Sequence, residues 1–400
     1  MLNERIDRYH VKDGNGNCIP KREETRHVQS VICLADYDTE KMYSAVCRHF
    51  EALKVKDDLF EGIRVLIKPN LIAAKKPETV ATTHPSVVEA VLRWLTEQGV
   101  KDIVVADSPG GMYTPEFLRN VYRVTGLDEV VKKYENARLN SDVGFTSVVC
   151  PDGFANHTFN IINPIVEADY VINLAKLKSH AMTGMSAGIK NMFGSIPGLQ
   201  KPQLHYRWPE QQAFCNMLVE LANVTSPEIV LIDAVEAMEG DGPTGGTPVH
   251  AGYTMCARDF FTQDFYACRT MHLEPESIAM LKNAMDKGLV TPDKTVWVGD
   301  PLPMDLRPFE VPKTRELDFS SMVPGFLSKP VTRILSGVLK SYPVLNRDKC
   351  VGCMKCAQVC PAQIIKQKDG KPKFTKKGCI SCFCCQEMCP QNAIDVKKAL

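Results

Sequence analysis

Four hundred residues, 44% of them hydrophobic, are enough to bury a large core and to form two or three domains. A formal net charge of +1 excludes a general electrostatic pull toward nucleic acid or a membrane surface. The N-terminal MLNERIDRYHVKDGNGN lacks the apolar core of a secretory signal and no apolar run reaches the length of a membrane span, so the expected location is a reducing cytoplasm.

Residues 1–26 are polar and carry Gly14 and Gly16, which predicts a flexible arm. Strand and helix patterns then alternate. Val28–Leu34 is a short apolar run and Thr39–Leu53 has helical spacing. Arg64–Ile67 reads as a strand ending in Lys68-Pro69-Asn70. Ser86–Leu95 reads as a helix, with Pro85 at its start and Gly99 past its end. Asp102–Ala106 is a strand running into Asp107-Ser108-Pro109-Gly110-Gly111, and Pro115–Tyr134 is helical with a break at Gly126. The second half repeats this style. Tyr170–Leu174 is a strand leading to Lys176, Lys178 and His180, followed by a Gly/Ser/Met-rich stretch, Thr183–Pro197, that holds Lys190 and Asn191. Gln211–Asn223 is a helix, Glu228–Ile232 a strand ending at Asp233, Thr254–Ala257 a strand, Asp264–Met271 a helix and Val296–Val298 a last strand. Such alternation predicts an α/β fold with a largely parallel sheet over residues 27–311, in one lobe or two.

Polar groups fall repeatedly at the C-terminal ends of these strands, where open α/β sheets bind ligands. His84, His180 and Lys190 are the candidate catalytic residues. Lys68, Asn70, Asp107, Lys176, Lys178, Asn191 and the loop Gly240-Asp241-Gly242 are candidates for binding a substrate or cofactor. Each has a plainer alternative. His84 before Pro85 can cap the helix that follows, and Lys68 can be a buried partner of Asp107. The Glu239–Gly246 loop can be a surface turn, a backbone approach to a ligand, or a hard-cation site using Glu239 and Asp241.

Residues 312–345 break the rhythm with Pro324, Pro330 and Pro343 and predict a linker whose helix, Phe326–Leu339, has an apolar stripe. Behind it, over residues 346–400, Cys350, Cys353, Cys356 and Cys360-Pro361 are repeated as Cys379, Cys382, Cys385 and Cys389-Pro390. C-x2-C-x2-C-x3-C-P written twice is the bacterial-type two-cluster ferredoxin pattern, a small α+β module in which the fourth cysteine of each run crosses to the other cluster. One [4Fe–4S] cluster is therefore assigned to Cys350, Cys353, Cys356 and Cys389, and the second to Cys379, Cys382, Cys385 and Cys360. A pair of zinc ribbons also uses C-x2-C units but has no reason for the C-P endings. Cys384 lies outside the pattern and reads as a plain thiol beside the cluster loop. From Leu345 onward eleven Lys/Arg stand against four Asp/Glu, a difference of +7. Two oxidised clusters at about −2 each lower that to about +3, so the lysines of 366–377 read as a solvated face or as a dock for an acidic electron carrier.

Lys68-Pro69-Asn70, Thr82-Thr83-His84-Pro85, Asp107-Ser108-Pro109-Gly110 and Asn173 to His180 through Gly188-Ile189-Lys190-Asn191 resemble the prokaryotic domain-of-unknown-function family 362, often fused to a C-terminal ferredoxin module. The similarity runs from about Val31 to Asp300 and implies architecture rather than substrate. A more distant likeness is to the nickel-pincer lactate racemases. There the order of His180, the Gly/Ser-rich stretch, Lys190 and His205 implies a cofactor-tethering lysine and a nickel-binding histidine. Ser179 replaces that family's proline, and Asp107-Ser108-Pro109-Gly110-Gly111 lacks its catalytic Gly-x-His-Arg.

Taken together, the sequence predicts an iron–sulfur oxidoreductase in an anaerobic setting. It would move single electrons between the ferredoxin module and a substrate or cofactor in the α/β domain, with a flavin, nickel or other group there left open. A non-enzymatic electron carrier or maturation partner that recognises a protein is the alternative of another class, and a nickel-pincer-type enzyme is the third. The expected partner is an electron-transfer protein or a small-molecule substrate, with no nucleic acid.

Overall fold

The computed structural model describes residues 1–152, 154–310 and 341–398. Its centre is a sheet built from β1 (Val28–Cys33), β2 (Arg64–Lys68), β3 (Asp102–Val105), β4 (Ala137–Leu139), β5 (Tyr170–His180), β6 (Gly184–Ser186), β7 (Ile229–Glu239), β8 (Thr247–Ala257) and β9 (Val296–Gly299). The strands lie in the order β9-β1-β8-β7-β5-β2-β3-β4, and β6 folds back on β5. Pairings from β7 through β5, β2 and β3 to β4 are parallel, and β8 runs antiparallel to both of its neighbours. The fold is thus mixed α/β with a largely parallel sheet.

Strand periodicity explains how both faces are covered. Val65, Ile67, Ile103 and Val105 join one hydrophobic cluster, whereas Leu66 and Val104 join the other. Helices α2 (Thr39–Ala52) and α3 (Pro85–Glu97) supply the first cluster through Met42, Val46, Val87 and Val91. The opposite cluster takes Phe214 and Leu218 from the long helix Gln211–Thr225 and Phe260 from Phe260–Thr270. Strand β5 is buried along its whole length. Its period-2 set of Tyr170, Ile172 and Leu174 continues as Lys176, Lys178 and His180, so the core stripe turns into titratable groups at its C-terminal end. The glycine-rich stretch beyond it is ordered as β6, the short helix α4 (Gly188–Asn191) and a 3-10 turn, and leads into α5 (Gln200–Arg207). Counting on, Gln211–Thr225 is α6 and Phe260–Thr270 is α7.

Residues 1–26 correct the expectation of a flexible arm. Leu2–Tyr9 is helix α1, and residues 10–12 and 18–20 pair as a small hairpin. The reason is Arg5, only 2% exposed. Its Nη1 donates to Ile165 O at 3.1 Å, its other Nη bonds Thr225 O, and its Nε lies 3.1 Å from Glu228 Oε1. A guanidinium anchored on two helix-terminal carbonyls and a buried carboxylate ties the arm down.

The second domain begins with β10 (Ser341–Leu345), paired with β13 (Ile394–Lys398), and contains the hairpin β11 (Ile365–Lys368) and β12 (Lys371–Phe374). Short helices α8 (Lys355–Gln358) and α9 (Cys384–Glu387) sit at equivalent places in its two halves. The repeat extends to the backbone. Left-handed φ values recur at Gly352 and Ser381, Met354 and Phe383, and Gln363 and Asn392. Non-glycine residues adopt that conformation uncommonly, and here it wraps each loop around a shared centre. The linker helix expected at Phe326–Leu339 lies outside the described residues.

Arg5→Ala leaves Glu228 buried without its counter-charge, so unfolding is expected to become easier by about 3 kcal/mol. Urea denaturation of the full chain checks this, and an unchanged midpoint would show that the N-terminal helix is not anchored as described.

Candidate functional site

Two voids of about 20 Å³ each lie in the second domain. Cys350, Cys353, Cys356 and Cys389 line one, and Cys360, Cys379, Cys382 and Cys385 line the other. The three-plus-one crossover read from the spacing is therefore what the fold brings together. Backbone amides add donors at the sulfurs: Gly352 N lies 3.4 Å from Cys350 Sγ and Ala393 N 3.2 Å from Cys389 Sγ. Four thiols around each void, with N–H groups aimed at sulfur, fit one cubane cluster apiece.

The ferredoxin domain docks by α9 against the C-terminal ends of the parallel strands. Thr244 Oγ1 donates to Glu387 O at 2.9 Å, and Lys75 Nζ to Asn392 Oδ1 at 3.2 Å. Gly110 has no side chain because Met388 Sδ occupies the space a Cβ would need. The junction encloses a cleft of about 70 Å³. Val359, Cys384, Glu387 and Met388 form its ferredoxin wall. The opposite wall carries Lys178, Lys190, Lys201, His180, His205 and Ser108.

Each group in this wall has a definite hydrogen-bond state. His180 Nδ1 accepts from Met182 N at 3.1 Å and Thr183 N at 3.3 Å, which places the ring proton on Nε2. That Nε2 lies 3.4 Å from Glu387 Oε1, but neither atom has an aligned hydrogen bond. Burial, with Lys190 and His205 nearby, holds the His180 ring neutral, its pKa well below the usual histidine value. His205 stacks on Phe214 at 4.1 Å with its Nδ1 unpartnered, and burial lowers its pKa to about 3. Lys178 Nζ donates to Asn70 Oδ1 at 2.9 Å and Ala81 O at 2.8 Å. Lys201 Nζ donates to Ser108 Oγ at 2.9 Å and Pro109 O at 3.3 Å. Burial brings both ammonium groups down to about 7, with Lys190 adding repulsion at each. Lys190 is 9% exposed and rests 4.8 Å over the Phe193 ring, with no hydrogen bond or ion pair among the described residues. Its position is fixed from below, where the buried Asp264 carboxylate accepts from Gly188 N at 2.8 Å and Ile189 N at 2.9 Å.

The other sequence candidates divide. Asn70, Asp107 and Asn191 line the cleft, and Asn70 Nδ2 donates to Asn191 Oδ1 at 2.8 Å. Lys68 is committed to Asp107 at 2.7 Å, the ion pair weighed as its plainer role. Lys176 pairs with Asp233 at 2.9 Å and does not line the cleft. Nor does His84, which caps α3 by accepting from Ser86 N at 3.2 Å and stacks on Tyr37 at 3.7 Å. In the loop containing Gly240, Asp241 and Gly242, Gly240 O accepts from Ser179 Oγ and Gly242 O from Ala181 N, while Pro243 reaches the cleft. Glu239, weighed as a cation ligand, is instead paired with Arg307 and accepts Glu310 N at 2.9 Å. Three cleft residues escaped sequence reasoning: Lys201, Ser108 as a lysine acceptor, and Glu387. Glu387 had a signal, being the sole carboxylate between Gly370 and Ile394 in an otherwise basic module.

Residues 65–269 match the family profile of Domain of unknown function (DUF362), and residues 342–390 match the 4Fe-4S dicluster domain. A thylakoid-associated protein of Synechocystis sp. is 35% identical over 221 residues, which are 54% of this chain and 65% of that protein. The chain thus spans just under two thirds of that relative. Among solved structures, the lactate racemase apoprotein from Thermoanaerobacterium thermosaccharolyticum has a TM-score of 0.37 and 15% identity, over 64% of this chain and 62% of that one. A protein from Thermotoga maritima has a TM-score of 0.34 and 12% identity, over 63% and 59%. No helix among the described residues is long and apolar enough to cross a membrane.

Because Cys384 faces the cleft and not a void, Cys384→Ser is expected to keep the full iron content after anaerobic reconstitution. Cys385→Ser removes one of the four thiols around the second void and is expected to lose up to about half of the iron. Iron analysis with electron paramagnetic resonance (EPR) of the reduced protein separates the two, and iron loss in Cys384→Ser would overturn the ring assignment.

Proposed function

Because the chain belongs to the family of Domain of unknown function (DUF362) and carries a 4Fe-4S dicluster domain, we propose that it is an oxidoreductase with two [4Fe–4S] clusters. It acts on an anionic substrate or cofactor held in the cleft between the two domains. One observation carries this reading: the ferredoxin domain supplies a wall of the very cleft that collects the strand-end lysines and histidines. Bound clusters supply single electrons at that wall. Cys384, in the wall, stands between the second-ring ligands Cys382 and Cys385, so the electron path into the cleft is short.

The chain's own residues then divide the remaining work. Reduction adds negative charge to a bound molecule, and Lys190, whose pKa burial lowers, offers its N–H donors in a dry site, where such a charge is stabilised far more than in water. His180 presents Nε2–H as a hydrogen-bond donor whose direction is set by the two amides on Nδ1. Lys178, with a pKa of about 7, can hold or release a proton at neutral pH. Asp264 and Gly188 position Lys190 without reaching the cleft.

The test uses dithionite-reduced holoprotein mixed anaerobically with fractionated small-molecule extracts. A fraction that abolishes the reduced-cluster EPR signal in the wild type is expected to act about 100-fold more slowly on Lys190→Met and His180→Ala, with iron content unchanged. Equal rates in all three proteins, or reoxidation only by a macromolecular fraction, would replace this reading with that of an electron carrier.

A further inference from the structure

The reading above leaves open which anion the cleft accepts, and its charge inventory narrows the answer. Lys68 is neutralised by Asp107, and Lys176 by Asp233 outside the cleft. Lys178, Lys190 and Lys201 then face a single carboxylate, Glu387, while His180 and His205 are neutral. Lys178 and Lys201 titrate near 7, so the excess over Glu387 reaches two positive charges when both are protonated. They sit behind surfaces that are nine-tenths or more buried, where unpaired charge is costly. Donor capacity points the same way. An ammonium has three N–H donors, so Lys190 offers three unclaimed and Lys178 and Lys201 one each. His180 Nε2–H and the unpartnered His205 Nδ1 border the same space. Size sets the upper limit. At roughly 10–15 Å³ for each water, 70 Å³ holds about five waters, the room taken by some five to seven non-hydrogen atoms.

We propose that the cleft binds a small doubly charged oxyanion, a tetrahedral dianion or a short dicarboxylate, gripped between Lys190 and Lys201 with Lys178 behind them. Glu387 closes the cleft from the ferredoxin side.

Binding is coupled to protonation. Without a ligand Lys178 titrates near 7, against Lys190 and Lys176 on one side and Glu387 and Asp107 on the other. Lys201 does so against Asp107, Lys68 and Lys190. A bound dianion favours both ammonium forms, so the complex holds more protons than the free cleft. Affinity is then greatest below pH 7 and falls as pH rises through it.

Isothermal titration of the oxidised holoprotein, which involves no turnover, tests this with sulfate, malonate and acetate. Sulfate stays doubly charged throughout the range, so its pH profile reports the protein. Expected is that sulfate or malonate binds at least about 10-fold more tightly than acetate, with the tighter of the two identifying the tetrahedral or dicarboxylate class. Lys190→Met and Lys201→Met should each weaken it by roughly 10- to 100-fold, and the remote surface variant Lys282→Met should not. Acetate binding as tightly as both dianions, no binding of any of the three, or full affinity in Lys190→Met would overturn the proposal. Should the lysine variants fail to fold, a flat pH profile of dianion affinity in the wild type overturns it equally. The proposal rests on the reading of the cleft as the redox site, yet the two fail separately. Dianion binding without any reoxidation chemistry removes only the oxidoreductase reading, and reoxidation by a singly charged anion without dianion binding removes only the dianion.

Discussion

Placing an ammonium inside a protein removes it from water, at a cost that only a partner charge or a set of hydrogen bonds can offset. This chain does so repeatedly at the ends of two adjacent parallel strands. Lys68 ends β2, and Lys176 and Lys178 sit side by side along β5, all essentially without exposure. The first is matched by Asp107, following β3, and the second by Asp233 in β7, so the sheet order itself delivers the counter-charges from neighbouring strands. Lys178 receives only neutral acceptors, Asn70 and Ala81, and Lys190 receives an aromatic face. The imbalance lies where the paired lysines stop, which is also where the ferredoxin domain docks.

Several glycines exist to make that arrangement possible. A side chain at Gly194 would collide with both members of the Lys68–Asp107 pair, and one at Gly242 with the Ser179 backbone. Gly188 leaves room for the Asp264 carboxylate that caps α4 and aims Lys190. These close approaches account for a glycine-rich stretch without periodicity being ordered and buried. Backbone contacts at the glycines add to those of buried apolar side chains, Met185, Ile189, Met192 and Ile196, which join the core.

The sequence made most of the sheet strands, the main helices between them and the spacing of the eight cluster cysteines legible, because periodicity and ligand spacing are local signals, whereas the three-residue strands β4 and β6 are too short to show a period. Strands β5, β7 and β8 nevertheless extend well past their apolar runs. Lys176-Leu177-Lys178-Ser179-His180 reads as a polar strand end, and only the counter-charges and amides brought by distant segments keep it buried in the sheet. The same nonlocality explains the misplacement of His84. A histidine before a proline can cap or catalyse, and the choice is made by Ser86 and by Tyr37, which lies 47 positions upstream. Lys201 was missed for the complementary reason. It opens a short helix of mixed polarity, and nothing local shows that Ser108, 93 positions earlier, will accept its hydrogen bond. Arg5 belongs with these cases, since a polar N-terminal segment is a flexible arm unless some distant carboxylate, here Glu228, claims it.

The two cysteine rings are chemically alike but differently placed, and the difference gives the electron path a direction in space. The ring of Cys350, Cys353, Cys356 and Cys389 reaches solvent, with Cys353 exposed and the neighbouring Val351 64% exposed. In the other ring Cys382 and Cys385 are buried, and Cys382 packs with Cys384 and Val359 against the cleft. A symmetric ferredoxin offers either end to any partner. Docking α9 onto the strand ends removes that equivalence, since Cys382 packs with residues of the cleft wall while Cys353 is exposed. The internal repeat of backbone conformations at 352 and 381, 354 and 383, and 363 and 392 shows that the backbone of the module does not impose the asymmetry. It comes from side chains that the repeat does not share. Glu387, Met388 and Cys384 occupy positions equivalent to Gln358, Val359 and Lys355, and the acidic residue and the extra thiol occur only in the second half, whereas the first half brings only Val359 to the cleft. Three positions at which the two halves of a duplicated scaffold differ thus supply three of the side chains in the ferredoxin wall of the cleft.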